Sequence, residues 1–186
     1  MRVLWYLSWF PLAIVAVVVG LLAYPLVPIA VLLRKNEKLP WYFWWLETYD
    51  NPIYGEPSHI RRWQSFVSAH PLIGPYVQRV AWLWRNKAYN FDYWICGRDY
   101  GAPFRLWGNP HTESGYPSAV PGYVFITTPK TWCLFAFLPL LTIGSYRYYL
   151  RLYLGWKTKK LGTYPTANEH AMLASHINPF RRIKIK

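Results

Sequence analysis

The stretch PLAIVAVVVGLLAYPLVPIAVLL, residues 11–33, is continuous, aliphatic and uncharged, and the rest of the chain is organised around it. No charged side chain occurs between Val3 and Leu33. As a helix, this stretch would reach about 34 Å, and the hydrocarbon core of a bilayer is about 30 Å thick. It therefore predicts a transmembrane helix, with residues 1–33 as an N-terminal membrane anchor. Pro25 and Pro28 should bend its last turns.

Aromatic clusters flank the apolar stretch on both sides, as expected of rings at the headgroup level of a membrane. Two other interpretations stay open. A cleaved signal peptide would have a shorter apolar region and a small-residue cleavage site. A buried core helix would rarely run this long without a polar residue. The flanking rings are Trp5, Tyr6, Trp9 and Phe10 on one side and Trp41, Tyr42, Phe43, Trp44 and Trp45 on the other.

Composition excludes several classes of protein. Of the 186 residues, 53% are hydrophobic and 20% aromatic, and the formal net charge is +13. A disordered chain lacks such apolar content, and a disulfide-stapled domain needs more than two cysteines. All but one of the 21 Lys and Arg residues follow residue 33. Because positive charge stays on the cytoplasmic side, the C-terminal part is predicted to be cytoplasmic.

Residues 34–58 form an aromatic, proline-rich linker that is predicted to lie on the membrane surface. Asp50-Asn51-Pro52 is a turn signal, because Asp and Asn side chains cap backbone amides. Four side chains nearby would suit a hard cation, but their spacing matches no calcium loop, which favours a hydrogen-bonded turn. These side chains are Glu47, Asp50, Glu56 and His59.

Two amphipathic helices are predicted between residues 60 and 86, interrupted at His70-Pro71, with Pro75 in the first turn of the second. The second helix would present one apolar face, which could lie in the membrane interface or pack onto the globular domain. That face would consist of Val77, Val80, Ala81 and Trp84.

Residues 90–122 are rich in Gly, Pro and aromatic residues and predict long loops with short strands. His111 and Glu113 are too few ligands to indicate a metal site. Cys96 and Cys133 are 37 residues apart, with no second cysteine near either, and are predicted to be buried thiols.

The C-terminal third predicts strands. Residues 123–128 are β-branched and aromatic, and residues 132–141 form an apolar run that is interpreted as a buried strand, with a membrane-dipping segment as the alternative. Residues 146–156 alternate with the period of a half-buried strand. The fold class is therefore α+β, with an N-terminal transmembrane helix, amphipathic helices and a small antiparallel β-sheet. Residues 59–186 are predicted to form one small α+β domain with C-terminal antiparallel strands and a basic tail.

The strand over residues 146–156 should send its even-numbered leucines into the core and present a face of Arg and Tyr. Such a face could bind anionic lipid headgroups or nucleic acid, or could be an ordinary solvated surface. Residues 181–186 continue the positive charge as an edge strand or a basic tail. The candidate surface consists of Arg147, Tyr149, Arg151, Tyr153, Lys157, Lys159, Lys160, Arg181 and Arg182.

Four short motifs run along the chain in a fixed order, and together they resemble a family of small, uncharacterised membrane proteins encoded by tailed bacteriophages and prophages. The first is a T-x-D-N turn followed by Gly and an acid, and the second is a W-L-x-R-N-x-x-Y-x-F box. An L-G-W-K strand end and a closing N-P-F complete the set. In this chain they are Thr48, Asp50, Asn51, Gly55 and Glu56; Trp82, Leu83, Arg85, Asn86, Tyr89 and Phe91; Leu154, Gly155, Trp156 and Lys157; and Asn178, Pro179 and Phe180.

The resemblance implies a phage origin and a membrane location, and no activity. The 8 acids and 5 histidines are scattered, so we predict no catalytic residue, metal or cofactor. The expected function is a non-enzymatic interaction protein at the host inner membrane, acting in superinfection exclusion or recruitment. Expected partners are anionic lipids and another phage or host membrane protein, with nucleic acid as a further option. The alternative is a virion component that contacts other subunits or the phage genome.

Overall fold

The computed structural model describes residues 2–100, 105–115, 119–158 and 169–185. Helices come first and antiparallel strands follow, which confirms the α+β class. The helical elements are α1 (Arg2–Leu7), α2 (Trp9–Leu32), a 3-10 helix (Trp41–Leu46), α3 (Pro57–Ala69), α4 (Gly74–Arg85) and a π-helical turn (Phe91–Ile95). The strands are β1 (Arg98–Tyr100), β2 (Arg105–Gly108), β3 (Gly122–Thr127), β4 (Trp132–Ile143), β5 (Tyr146–Trp156), β6 (Glu169–Ala171) and β7 (Leu173–Lys184).

Helices α1 and α2 run together as one apolar helix over Val3–Leu32. The backbone ladder is kept across Ser8, whose amide donates to the Leu4 carbonyl at 3.1 Å and whose carbonyl accepts from Leu12 at 3.3 Å. Helix α2 continues through Pro25 and Pro28. Among the described residues this is the one helix long and apolar enough to cross a membrane. The predicted apolar helix is therefore present.

The chain divides into two compact units, one of Met1–Ala13 with Cys96–Lys186 and one of Ile14–Ile95. We call these the sheet unit and the helical unit. The sequence predicted boundaries after residues 33 and 58 instead. The difference arises because the predicted linker supplies Leu46 and Ile53 to a core that it shares with α2 and α4.

The core of the helical unit forms where α2 meets the segments that follow it. Helix α2 contributes small and β-branched side chains, which allow close approach of neighbouring segments. The buried members are Ala23, Val27, Ala30 and Val31 of α2, Leu39, Leu46 and Ile53 of the linker, and Val80, Trp82 and Leu83 of α4.

Helices α3 and α4 confirm the predicted pair, with a break over residues 70–73 and Pro75 in the first turn of α4. The predicted apolar face of α4 is wrong in part. Gln78 is buried, and its Nε2 donates to the Tyr54 carbonyl at 3.3 Å, which satisfies the buried amide. Trp84 is 40% exposed and donates its indole N–H to the Tyr24 carbonyl at 3.0 Å. Because hydrogen bonds to backbone carbonyls satisfy these polar groups, the buried face of α4 differs from the one that the apolar periodicity predicts.

The main sheet has five strands in the order β2-β3-β4-β5-β7, all antiparallel, and β1 pairs separately with β6. The predicted strands over residues 123–128, 132–141 and 146–156 are confirmed as β3, β4 and β5. Strand β7 lies at the edge of the sheet, so the basic C-terminal residues 181–184 belong to an edge strand.

A register irregularity marks β4 between Pro139 and Leu141, and a second marks β5 between Tyr149 and Arg151. Proline cannot donate to a strand ladder and is therefore found at such bulges. The two long strands β4 and β5 are joined by a tight turn at Gly144, whose φ of 55° suits a residue without a side chain.

The sheet unit also binds the first turns of the long helix. Tyr6 Oη donates to the Thr128 carbonyl at 2.8 Å, and Trp132 Nε1 donates to the Tyr6 carbonyl at 3.3 Å. Trp9 Nε1 donates to the Ala174 carbonyl at 3.1 Å. The aromatic cluster before the apolar stretch is thus tied to β4, β7 and the turn before β4.

Gly155→Ala should destabilise the sheet. Gly155 has φ 93°, and a Cβ there would collide with the Trp132 carbonyl across the strand pair. We expect the free energy of unfolding to fall by about 3 kcal/mol or more, which is a drop in Tm of about 6 °C or more. Thermal unfolding followed by near-UV circular dichroism measures this.

Gly144→Ala is the matched control, because Gly144 also has positive φ but no described atom lies within 4 Å of the place where a Cβ would stand. Only the backbone strain remains in that variant, about 1–2 kcal/mol. Equal losses in the two variants would mean that the close approach of Gly155 to Trp132 does not matter.

Candidate functional site

The predicted Arg and Tyr face of β5 lies against the core of the sheet unit. Tyr149 is 7% exposed, and its ring stacks on Phe137 with centroids 4.2 Å apart. Tyr153 meets the Phe135 ring edge-on at 5.1 Å. Burial raises the pKa of the Tyr153 phenol well above its ordinary value. This corrects the prediction that the two tyrosines present an accessible binding surface.

Arg151 is held in the same layer by a loop that folds over the face. Its Nε donates to Ser114 Oγ at 2.9 Å, and its guanidinium lies over the Phe135 ring at 5.7 Å. Burial lowers the pKa of Arg151, and the nearby Arg181 lowers it further. Arg181 donates to the Ser114 carbonyl at 3.4 Å. Arg151 thus fixes the loop on the sheet, where a binding role was predicted.

Four exposed cations of the sheet gather where three strands continue beyond the core. Strand β3 ends at Gly122, opposite Phe137, so β4 has no β3 neighbour after that residue. Strands β4, β5 and β7 keep pairing as a ribbon up to Ile143, Tyr146 and Lys184. We call residues 140–148 and 180–184 the sheet tip. Its exposed cations are Arg147, Arg181, Arg182 and Lys184.

Apolar side chains make up much of the rest of the sheet tip. Ile143 is 62% exposed and Phe180 78%, while Leu140 and Leu141 are exposed to 52% and 51%. Residues 132–158 and 173–185 contain no Asp or Glu. The three strands of the tip therefore combine exposed apolar side chains with positive charge and contribute no acid.

Sequence reasoning preferred a buried strand for residues 132–141, with a membrane-dipping segment as the alternative, and did not predict that Leu140 and Leu141 are exposed at the end of a strand. The signal that could have found it is length. Strand β3 has 6 residues and β4 has 12, so half of β4 must extend past its neighbour. A hydrophobic run longer than the strand that covers it has to leave apolar side chains exposed.

The other predicted cations do not join the tip. Lys157 follows β5, and its Nζ lies 3.0 Å from Met172 Sδ. Lys159 and Lys160 lie outside the described residues. The predicted surface is thus divided: Arg147, Arg181 and Arg182 lie at the tip, and Tyr149, Arg151 and Tyr153 lie against the core.

The long helix leaves most of its apolar side chains exposed. Within its most apolar 18-residue window, 28% is buried. Buried positions recur at spacings of three, four and seven, at Ala13, Ala16, Ala23, Val27 and Ala30, while large side chains point outward elsewhere. The exposed ones are Val3, Leu4, Leu7, Phe10, Ile14, Val15, Val17, Val18, Leu21, Leu22, Ile29 and Leu32.

Two of the four sequence motifs come together in the helical unit. Arg85 Nη1 donates to Glu56 Oε1 at 3.2 Å, which joins the start of α3 to the end of α4. Asn86 ends α4, with its Nδ2 donating to the Trp82 carbonyl at 3.1 Å. Tyr89 stacks on Tyr49, and burial raises the pKa of Tyr89 to about 12. These residues hold the fold of the unit together.

The turn motif supports the same packing. Thr48 Oγ1 donates to the Asn51 carbonyl at 2.7 Å, which closes the predicted turn around Asp50. Gly55 has φ 99°, and a Cβ there would lie 2.9 Å from the Trp82 ring and 2.8 Å from His59. The glycine is therefore required for the close approach of the turn to α3 and α4.

The motif positions of the sheet unit have different surroundings. Trp156 is fully buried, and its indole N–H donates to the Cys96 carbonyl at 3.0 Å. Asn178 Oδ1 accepts from the Phe180 amide at 2.9 Å, which shapes β7 just before the sheet tip. Phe180 itself belongs to the tip.

Within the described ranges, no three His, Cys, Asp or Glu side chains are placed to hold a metal ion. The acids of the turn region bond elsewhere: Glu47 Oε1 accepts from the Leu39 amide at 2.6 Å, and Glu56 pairs with Arg85. Cys96 and Cys133 are buried and form no disulfide, as predicted.

A family model described as a family of unknown function, DUF7338, matches residues 1–185. No curated protein and no solved structure matches the chain. The family match extends over both the helical and the sheet unit.

Tyr149→Ala should destabilise the protein far more than Arg147→Ala. Tyr149 is buried against Phe137, and Arg147, two residues before it on β5, is exposed. Truncating the buried ring should lower the free energy of unfolding by about 3–5 kcal/mol, and the arginine change by less than about 0.5 kcal/mol. Denaturant titration measures both. If the two losses were alike, the ring would not be part of the core.

His59 should make the stability of the helical unit depend on pH. Its Nε2 lies 3.0 Å from the Gln78 carbonyl, and burial lowers its pKa below the ordinary 6.5. Below pH 6.5 the unfolded chain takes up a proton at this side chain before the folded one does, so stability falls as pH falls. Tm measured between about pH 7 and about pH 5.5 should decrease.

His59→Gln removes the titrating group and keeps a hydrogen-bond donor for the Gln78 carbonyl. The decrease in Tm over that pH range should become smaller in this variant. A slope identical to that of the unchanged protein would assign the pH dependence to other groups.

Proposed function

The chain belongs to DUF7338, a family of unknown function, and we propose that it is a membrane-anchored, non-enzymatic interaction protein. It acts at the cytoplasmic surface of a bacterial inner membrane, as a phage-encoded protein that excludes a second genome or recruits a phage component. The long apolar helix carries this proposal, and the motif order that resembles phage membrane proteins supports the phage origin.

The surface of the helix is the reason for placing the protein in a membrane. The helix is 30 residues long, apolar on every side, and mostly unburied. A helix that is hydrophobic all round needs a protein interior or lipid on each of its faces. Exposed apolar patches larger than a few hundred Å² mark interaction or membrane surfaces. Lipid satisfies the outward-facing side chains along the whole length of this helix.

The contacts made by the first turns of the helix favour a monotopic arrangement, in which the helix stays on one side of the membrane, over a bitopic one, in which the helix crosses it. Residues 5–9 bind the sheet unit, with Arg98 donating to the Trp5 carbonyl at 3.0 Å and Trp9 donating to Ala174. If the helix crossed the membrane, these residues would lie on the opposite side from everything after residue 33. The contacts with Arg98, Thr128, Trp132 and Ala174 could not then form.

We therefore place the helix within one leaflet, with its outward side chains in the acyl region. All but one of the 21 Lys and Arg residues follow residue 33, and this charge favours the cytoplasmic face. Trp41, which follows the helix and is 82% exposed, suits the headgroup level.

Fractionation of host cells tests the anchor. The protein should stay with the membrane after high-salt and carbonate washing and should be released by detergent, because the helix is held by apolar contact. Release by carbonate would contradict the membrane proposal. Mass spectrometry of purified phage particles tests the alternative, since a virion component would be found there and a host-membrane protein would not.

Cysteine labelling separates the two topologies. Val3→Cys and Lys38→Cys place reactive thiols at the first residue of the helix and beyond its last one, while the native Cys96 and Cys133 are buried. With a membrane-impermeant maleimide on intact spheroplasts, neither site should react, and both should react after lysis. Labelling of the residue 3 variant alone in intact spheroplasts would establish a bitopic helix instead. The protein without added cysteine is the control.

A further inference from the structure

We propose that the sheet tip is a second membrane contact, which inserts its aliphatic side chains between anionic lipid headgroups. The inference rests on the proposed membrane location, and it assigns a partner to a surface far along the sequence from the helix. The tip comprises residues 140–148 of the β4–β5 hairpin and residues 180–184 of β7.

The sheet tip protrudes, because the strands that form it continue beyond the end of β3. Strand β3 stops opposite Phe137, and β4 continues for six more residues to Ile143. At about 3.3 Å per residue this part of the ribbon is about 20 Å long. An interfacial segment enters the boundary between headgroups and acyl chains by about 5–10 Å, so the ribbon is long enough to reach it.

The exposed side chains at the end of the ribbon suit the acyl boundary. Leu140, Leu141 and Ile143 lie at the turn of the hairpin, and Phe180 lies on β7. Each is more than half exposed. Burying such side chains in lipid is favourable by about 25 cal/mol for each Å² removed from water.

The charges of the tip complement an anionic surface. Arg147, Arg181, Arg182 and Lys184 are exposed around the apolar end, and no acid occurs in the three strands that form it. The Arg182 guanidinium lies 5.0 Å from the centre of the Tyr146 ring, which positions it close to the hairpin turn of the tip. Basic residues next to apolar ones are typical of segments that bind anionic lipid.

The kind of exposed side chain favours lipid over nucleic acid. Proteins that bind single strands stack bases on aromatic rings. At the turn of the tip Leu140, Leu141 and Ile143 are each more than half exposed, while Tyr146 is 37% exposed and lies under Arg182. Tyr149 is in the core and Tyr153 packs against it, so Phe180 is the tip ring that is more than half exposed. Leu and Ile offer no ring for stacking, but they enter acyl chains readily.

The test uses the full-length chain, reconstituted in vesicles, with a fluorophore at the tip. Ser145→Cys lies in the hairpin turn, and the two native thiols are buried, so an environment-sensitive dye attaches at the turn. The vesicles contain phosphatidylcholine alone or mixed with phosphatidylglycerol. We expect blue-shifted emission, and quenching by lipids that carry a quencher in the acyl chain, only when phosphatidylglycerol is present.

Arg147→Gln with Arg182→Gln should reverse that change. Each charge near an anionic surface contributes a factor of about five, so the ratio of inserted to free tip should fall about 25-fold. The matched control is Arg61→Gln with Arg62→Gln, which removes two exposed charges from α3 and should leave the emission unchanged. Leu141→Asn with Ile143→Asn changes exposed side chains and should abolish acyl-chain quenching while Tm stays the same.

The possible outcomes distinguish a failure of the tip contact from a failure of the membrane anchor. A dye that reports water in both vesicle types, on a protein still resistant to carbonate, would overturn the tip contact and leave the membrane anchor intact. A chain that fails to incorporate into vesicles would overturn both. A dye that responds to an oligonucleotide and not to phosphatidylglycerol would make the tip a nucleic-acid surface and would also overturn the inference.

Discussion

The structure depends on one helix that carries no polar face and contributes to both compact units. Its first turns bind the sheet unit through Trp5, Tyr6 and Trp9, and its second half supplies Ala23, Val27 and Ala30 to the core of the helical unit. The alanines leave room for the linker and α4 to approach closely. The larger side chains face outward, and a membrane is the surrounding that satisfies them without a protein partner.

On β5, the face that carries Arg and Tyr is the one that lies against the core of the sheet unit. Alternation along β5 separates Leu from Arg and Tyr, but alternation alone does not say which face meets the core. Tyr149 stacks on Phe137, Tyr153 meets Phe135 edge-on, and Ser114 accepts a hydrogen bond from Arg151. A satisfied arginine and two phenols are then compatible with burial.

Two of the four sequence motifs have a structural explanation in the helical unit. The Glu56 pair with Arg85, the Asn86 cap and the tight approach at Gly55 all join the turn region to α3 and α4. No convergence of acids, histidines or cysteines accompanies them in the described part of the chain. The function we propose therefore resides in the surfaces of the helix and of the sheet tip, where apolar side chains and cations meet water or lipid.

The sequence by itself determined the apolar helix, the paired amphipathic helices, the three long strands and the buried free cysteines. Each of these follows from local periodicity, from helix-breaking and turn residues such as Pro71 and Pro75, or from composition. Only the tertiary structure decided which face of β5 is buried, that Gln78 lies inside and Trp84 outside, and that the linker residues Leu46 and Ile53 belong to a core. It also decided that Leu140, Leu141 and Ile143 extend beyond the core, because that depends on where β3 ends relative to β4. The physical reason is the same in each case: local pattern specifies an element, while burial is a property of the neighbours that the chain brings from elsewhere.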